Sequence, residues 1–191
     1  MLDIGAYVGI MSLHFAAMGA TVHAFEGSPR NISRLNLSCK NHDITTHEIA
    51  LSNVTKTTKT RFNDCIDREH PMQEVTYEKY DDYAKRVGIP SPSFVKMDIE
   101  GMESLALLEM KSVFENRAVF QVEYHGGLPF CYNGYPGFVP VEEGGFDFNS
   151  LRSIDYVILD EELRRTVQME SLKNYFFVPK ERLGRVSIKL L

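Results

Sequence analysis

The sequence predicts an α/β fold: a mostly parallel sheet with helices on both faces. Three observations lead there. Short apolar runs rich in Val, Ile, Phe and Thr alternate with segments of helical periodicity through most of the 191 residues, the pattern of parallel strands joined by helical crossovers. The first run, Met1–Ile4, enters a glycine turn, Gly5-Ala6-Tyr7-Val8-Gly9, that opens a helix. Acidic residues then stand at the ends of several strands, where ligands of such sheets bind at a topological switch point.

Each element follows in order. After the glycine turn, Ile10, Leu13 and Ala17 fall at helical spacing up to Gly19. Thr21–Phe25 is a second strand, and Ser28-Pro29 supplies an N-cap with proline at the first helical position. Ile32, Leu35 and Cys39 continue that helix at i, i+3 and i+7, and Ile44–Leu51 is a third strand. Residues 55–78 are an antiparallel excursion, Thr55–Phe62 against Glu74–Tyr77, before a helix at Tyr80–Val87. The alternation resumes with strand Phe94–Ile99, helix Met102–Phe114 and strand Ala118–Tyr124.

Gly126–Phe146 holds six of the thirteen glycines and five aromatic residues. A loop of that length is commonly functional, and Phe130, Tyr132, Tyr135 and Phe138 suit a substrate lid on glycine hinges. Two late strands, Asp155–Leu159 and Tyr175–Val178, close the chain, and residues 1–191 read as a single domain.

Composition narrows the function classes. The net charge is −5, with 43% apolar and 25% charged residues, which excludes collagen-like, coiled-coil and wholly disordered chains. No basic patch suits a nucleic-acid backbone, and no apolar stretch is long enough to span a membrane. Cys39, Cys65 and Cys131 are too few and too scattered for a disulfide framework or a zinc site. No secretory signal precedes Leu2, so the cytoplasm is the default compartment. The chain opens inside a strand, as an amino-terminally truncated chain would, so the compartment stays open to a targeting or membrane signal in a missing upstream segment.

Four motifs carry chemistry. In Asp3-Ile4-Gly5-Ala6-Tyr7-Val8-Gly9 the glycines let backbone approach a ligand, but the spacing is G-x-x-x-G rather than G-x-G-x-x-G. Asp3 would repel a pyrophosphate and suits an ammonium or sulfonium ligand. In Phe25-Glu26-Gly27 the carboxylate lies 17 residues past Gly9, near the offset at which an acid accepts from both ribose hydroxyls. In Lys96-Met97-Asp98-Ile99-Glu100 three charges alternate with apolar residues at a strand end, where burial is costly unless a site uses them. Val122-Glu123-Tyr124-His125 ends the next strand, so neighbouring strands would bring Asp98, Glu100, Glu123 and His125 together.

With those motifs in place, the sequence resembles the FkbM family of S-adenosylmethionine-dependent methyltransferases. Leu-Asp-Ile-Gly-Ala-Tyr-Val-Gly, Ala-Phe-Glu-Gly-Ser-Pro, Ile-Ala-Leu-Ser, Lys-Met-Asp-Ile-Glu-Gly-Met-Glu and Val-Glu-Tyr-His occur in family order. The resemblance implies a class I methyltransferase (Rossmann-like) fold with a seven-stranded type of sheet, and S-adenosyl-L-methionine as cofactor. It places Asp3, Gly5, Ala6, Tyr7 and Gly9 around the methionine end and Glu26-Gly27 at the ribose. Ala50 falls near the adenine and Asp98 at the methyl-transfer position. Tyr7 stands where the family usually has Asn, and Gly27 where it usually has Pro.

The expected reaction is methyl transfer to a hydroxyl of a small molecule, glycan or lipid. His125 is the first candidate general base, because its ordinary pKa of about 6.5 suits neutral pH. Glu100 is the second, provided that burial raises its pKa, and Glu123 completes the catalytic set. No resident metal is assigned, although Asp98, Glu100, Glu123 and His125 together are the residue types that would hold a divalent cation. Two rival functions are a non-catalytic S-adenosylmethionine-binding module and a nicotinamide-dependent oxidoreductase; Asp3 and the missing G-x-G-x-x-G speak against the latter.

Overall fold

A computed structural model describes residues 1–60, 72–124, 146–166, 168–170 and 173–185. Its main sheet has seven strands: β1 (Leu2–Ile4), β2 (Val22–Phe25), β3 (Ile44–His47), β7 (Phe94–Met97), β8 (Val119–Tyr124), β9 (Tyr156–Leu159) and β10 (Lys173–Pro179). They lie in the order β3-β2-β1-β7-β8-β10-β9. The pairs β3–β2, β2–β1, β1–β7 and β7–β8 are parallel, and β10 runs antiparallel to both its neighbours. From β1 the chain builds outward to β2 and β3, then returns to place β7 on the other flank of β1. That reversal is the switch point, beyond whose strand carboxyl ends, here those of β1 and β7, the ligands of such sheets bind.

Helices cover both faces. Leu2, Ile4, Phe25, Val95, Met97, Phe120 and Phe177 form one buried cluster with Leu107, Met110, Val113 and Phe114, which belong to α4 (Glu103–Leu108), α5 (Lys111–Glu115) and the turn between them. On the other face Val22 and Ala24 pack on Ile32, Leu35 and Cys39 of α2 (Pro29–Cys39), with Phe15 and Ala16 of α1 (Ile10–Ala17) alongside. Each large apolar side chain buried this way contributes about 1.5–3 kcal/mol. A strand as short as β1 is held because all three of its residues are buried between these layers. Among the described residues, no helix is long and apolar enough to cross a membrane.

The expected excursion is a second sheet, β4-β6-β5, with β5 (Lys56–Thr60) antiparallel to β6 (Gln73–Glu78) and β4 (Ala50–Leu51) parallel to it. The single third strand expected over Ile44–Leu51 is therefore split. His47 ends the main ladder, where Glu26 N donates to its carbonyl, and Ala50 pairs with Tyr77 instead. The expected helix Met102–Phe114 is also two helices. Asp81, on α3 (Tyr80–Val87), donates its backbone N–H to Glu109 O at 3.0 Å, and its carboxylate accepts from Ser112 N and Oγ. That partner stops α4 and starts α5, so the break comes from another helix. Strand Phe94–Ile99 ends at Met97, because Glu100 and Gly101 both take left-handed backbone, with φ of 56° and 98°.

A polar chain crosses the β2–β3 edge. His23 Nδ1 and His47 Nε2 share a hydrogen bond of 3.1 Å, and His47 Nδ1 and Tyr83 Oη share one of 3.0 Å. Phe25 stacks on the His47 ring at 4.5 Å. Burial, and secondarily the neighbouring His23, push the His47 pKa down to about 4. Burial and the amino terminus lower that of His23, with Asp43 opposing. A lowered imidazole pKa stabilises the fold fully above the ordinary value of about 6.5, and that contribution is lost as pH falls toward 4. The expected loss is roughly 2–3 kcal/mol across that window. It should be visible as a falling urea midpoint between pH 7 and pH 4.5 that flattens in His47→Gln; an equal slope in the variant sinks the assignment.

Candidate functional site

The glycine turn at the end of β1 is built by backbone. Gly5 N and Ala6 N both donate to Phe25 O, at 3.0 and 2.9 Å, which ties the turn to β2. Gly5 has φ +80°, and a Cβ there would lie 1.8 Å from the carbonyl oxygen of Asp98. No side chain fits between these two loops. Gly9 has φ +92°, and its Cβ would meet Leu35 Cδ1 at 2.8 Å, so glycine here lets α1 start against α2. Ala6 is buried beneath the turn with Val22 and Ala24.

Tyr7 is half-buried and left-handed, with φ 53°. Such backbone costs a non-glycine residue on the order of 1 kcal/mol, and Asn tolerates it best. Tyr7→Asn is therefore expected to raise the unfolding free energy by about 0.5–1 kcal/mol in urea titrations. A lower stability would show that the Tyr7 ring makes contacts worth more than the backbone strain.

Glu26, at the carboxyl end of β2, is 7% exposed. Its Oε2 accepts from Tyr7 N at 2.9 Å and its Oε1 from Ser28 N at 2.8 Å. Burial pushes its pKa up, and those backbone donors, the Asn31 side chain and Lys96 oppose the shift. The carboxylate thus links the glycine turn to the start of α2, while Asn31 Oδ1 beside it is buried with no hydrogen bond. Ser28 occupies the N-cap position with Pro29 following, but makes no side-chain cap bond. Gly27, half-buried, takes no left-handed backbone.

The parallel register pairs Asp3 with Lys96, which sets the two side chains on one face of the sheet. Asp3 is fully buried. Its Oδ2 accepts from Ser12 Oγ at 2.6 Å, and its Oδ1 makes no hydrogen bond but lies 3.5 Å from Lys96 Nζ. Lys96, with its side chain 11% exposed, donates to Gly5 O at 3.1 Å and lies 3.7 Å from Asp98 Oδ2. Asp98 is the open carboxylate of this set, with 34% of its side chain exposed.

Past β7 the loop is held from below. Glu103, buried at the start of α4, accepts from Ile99 N at 3.0 Å and Gly101 N at 3.2 Å. Glu100, the second candidate general base, is exposed rather than buried. Met97 pairs with Val122 across to β8, so Asp98 and Glu123 follow at the same level of adjacent parallel strands. Glu123 is half-buried. His125 and residues 126–145 of the expected lid lie outside the described residues. Ala50, expected near the third strand's end, sits in the small second sheet against Val75, Tyr77, Met102 and Leu105. Among the described residues, no group of three His, Cys, Asp or Glu is placed to hold a metal ion.

Four contributors went unassigned in the sequence. Ser12 and Asn31 bind the two buried acids, Glu103 folds the loop after β7, and Lys96 bridges Asp3 and Asp98. Lys96 left a signal in its alternation with Asp98, and Glu103 in closing the Lys-Met-Asp-Ile-Glu-Gly-Met-Glu motif; Ser12 and Asn31 depend on which turn folds back on which carboxylate.

A parallel sheet reversed by a final antiparallel strand, with a glycine turn and an acid ending the second strand at its switch point, defines a nucleoside-cofactor-binding class of Rossmann-like domain. Residues 3–132 match the methyltransferase FkbM domain, and the chain belongs to that family of S-adenosylmethionine-dependent methyltransferases. The fold is that of class I methyltransferases, and the cofactor is S-adenosyl-L-methionine. No curated protein matches the sequence.

Three solved structures resemble the chain. Monomeric WbdD is 11% identical, with a TM-score of 0.45, over 94% of this chain and 35% of its own. Precorrin-6y C5,15-methyltransferase from Geobacter metallireducens GS-15 is 13% identical, with a TM-score of 0.43, over 93% of this chain and 77% of its own. TehB from Haemophilus influenzae is 14% identical, with a TM-score of 0.43, over 92% of this chain and 55% of its own. The chain thus spans about a third of the length of WbdD and about half of that of TehB.

The residues present fit the cofactor. The acids suit a cationic ligand, and Asn31 Oδ1 and Asp3 Oδ1 are buried acceptors without a hydrogen bond.

Proposed function

We propose that this chain catalyses methyl transfer to a hydroxyl oxygen of a small molecule, a glycan or a lipid. When bound, S-adenosylmethionine supplies a methyl group already activated on its sulfonium. The protein's task is then to hold the nucleophile in line with that methyl and to remove a proton from the hydroxyl. The observation that carries this reading is the meeting of Glu26, Asp3, Lys96 and Asp98 around one glycine turn at the switch point.

In this reading Glu26 and Gly27 take the ribose hydroxyls, and Gly5, Ala6, Tyr7 and Gly9 present backbone to the methionine end. Asp3 acts on that end from beneath, through its charge. Ala50 lies toward the adenine. Asp98, the open carboxylate, faces the transfer position, and Glu123 stands level with it on β8. His125, which directly follows β8, takes the hydroxyl proton.

Calorimetric titration with S-adenosylhomocysteine, and NAD in parallel, tests the pocket; micromolar binding of the first alone is expected. The chemistry is tested by transfer of isotope-labelled methyl to a panel of hydroxyl, amine and thiol acceptors, with His125→Gln alongside. The variant should lose turnover and keep its affinity for S-adenosylhomocysteine. Unchanged turnover removes His125 from the mechanism, and label found only on nitrogen, sulfur or carbon overturns the hydroxyl assignment.

A further inference from the structure

Lys96 holds a position that packing alone does not ask of it. Its ammonium donates to Gly5 O at 3.1 Å and lies 3.5 Å from Asp3 and 3.7 Å from Asp98. It also acts on Glu26, lowering the pKa that burial raises. A lysine needed only to neutralise the buried Asp3 would close on that carboxylate. Instead it stands between two acids, with one hydrogen bond spent on the turn itself.

We propose that Lys96 sets how strongly this pocket prefers a sulfonium over the thioether that remains once the methyl has left. The proposal rests on the reading of this turn as the seat of the cofactor's methionine end. Asp3, Glu26 and Asp98 together present three negative charges, and Lys96 cancels one of them. The sulfonium cofactor and the thioether product differ by one positive charge at sulfur and share every other recognition group. The ratio of their affinities therefore reads the electrostatic potential at that sulfur, whereas a change in the shape of the turn moves both affinities together. Lys96 stiffens the turn through Gly5 O and, by its charge, narrows the gap between substrate cofactor and product.

Calorimetry on the full chain at pH 8 tests this with S-adenosylmethionine and S-adenosylhomocysteine as probes, on the wild type, Lys96→Met and Lys96→Arg. Lys96→Met is expected to widen the preference for S-adenosylmethionine by about tenfold, on the order of one unit-charge interaction in a partly screened site. Lys96→Arg, which keeps the charge, should leave the ratio near the wild-type value. In Lys96→Met the widened preference should shrink as salt is raised.

Equal loss of both affinities in Lys96→Met, or an unmoved ratio, overturns the proposal and leaves the lysine a purely structural tie. Where Lys96→Met fails to fold, Lys96→Gln carries the same comparison. If neither folds while Lys96→Arg does, the lysine serves folding alone and the proposal falls. A folded wild type that binds neither probe fails the cofactor-pocket reading itself, a result distinct from all of these.

Discussion

Gly5→Ala is expected to destabilise the chain by more than about 3 kcal/mol, or to leave it insoluble. Two costs add at this position. The backbone is left-handed at φ +80°, which disfavours any residue with a Cβ by roughly 1 kcal/mol. The new methyl would also lie 1.8 Å from Asp98 O and 2.8 Å from its carbonyl carbon. Neither atom can rotate away, because Asp98 N is bonded to Ile4 O at 3.0 Å and fixes that backbone to β1. Gly19→Ala separates the two costs: φ there is +87°, but nothing lies within 4 Å of the added Cβ. Urea unfolding of both variants should show a loss of about 1 kcal/mol for Gly19→Ala and several times that for Gly5→Ala. Equal losses would mean that the β1 and β7 loops separate freely, and would falsify the rigid turn on which the site is built.

Glu26→Gln is expected to weaken S-adenosylhomocysteine binding by on the order of a hundredfold, although the side chain changes by a single group. Each carboxylate oxygen now accepts a backbone N–H, from Tyr7 on one side and Ser28 on the other. An amide keeps one acceptor and turns an NH₂ toward the other N–H, so donor faces donor in a site that is 7% exposed. The turn or the start of α2 must then shift. The remaining lone pairs, which in our proposal receive the ribose hydroxyls, are halved as well. Removing a desolvated charge offsets part of the stability loss, since burial already raises the Glu26 pKa. Affinity should therefore fall more than the unfolding free energy. Calorimetry beside urea unfolding checks this, and an unchanged affinity would take Glu26 out of the site.

The elements themselves were largely written in local sequence. Helix α3 matches the expected Tyr80–Val87, because Ala84 and Tyr80 mark its buried face and Gly88, left-handed at φ +76°, stops it. Helix α2 likewise starts at Pro29 and ends at Cys39 as its i, i+3, i+7 pattern requires. The glycine turn, Glu26 and the Lys96/Asp98 alternation were legible for the same reason: each depends on residues within one turn or one strand end. Two misjudged spans share a different cause. Asp81 breaks the 102–114 helix from a separate element, and β6 draws Ala50 out of the third strand. Neither partner is near in sequence.

By itself, then, the sequence determined the alternation of strands and helices, the glycine turn, the acids at the strand ends and the family to which they belong. These are set by side-chain periodicity and by residues whose backbone permits only one local geometry. The tertiary structure alone decided which acids are buried and what they face. Asp3 turns to Ser12 and Lys96, Glu26 receives two backbone N–H groups, Glu100 is exposed, and Glu103 holds the loop after β7. A carboxylate's solvation and partners are fixed by chain segments that meet only when the sheet forms, so no spacing within one strand encodes them.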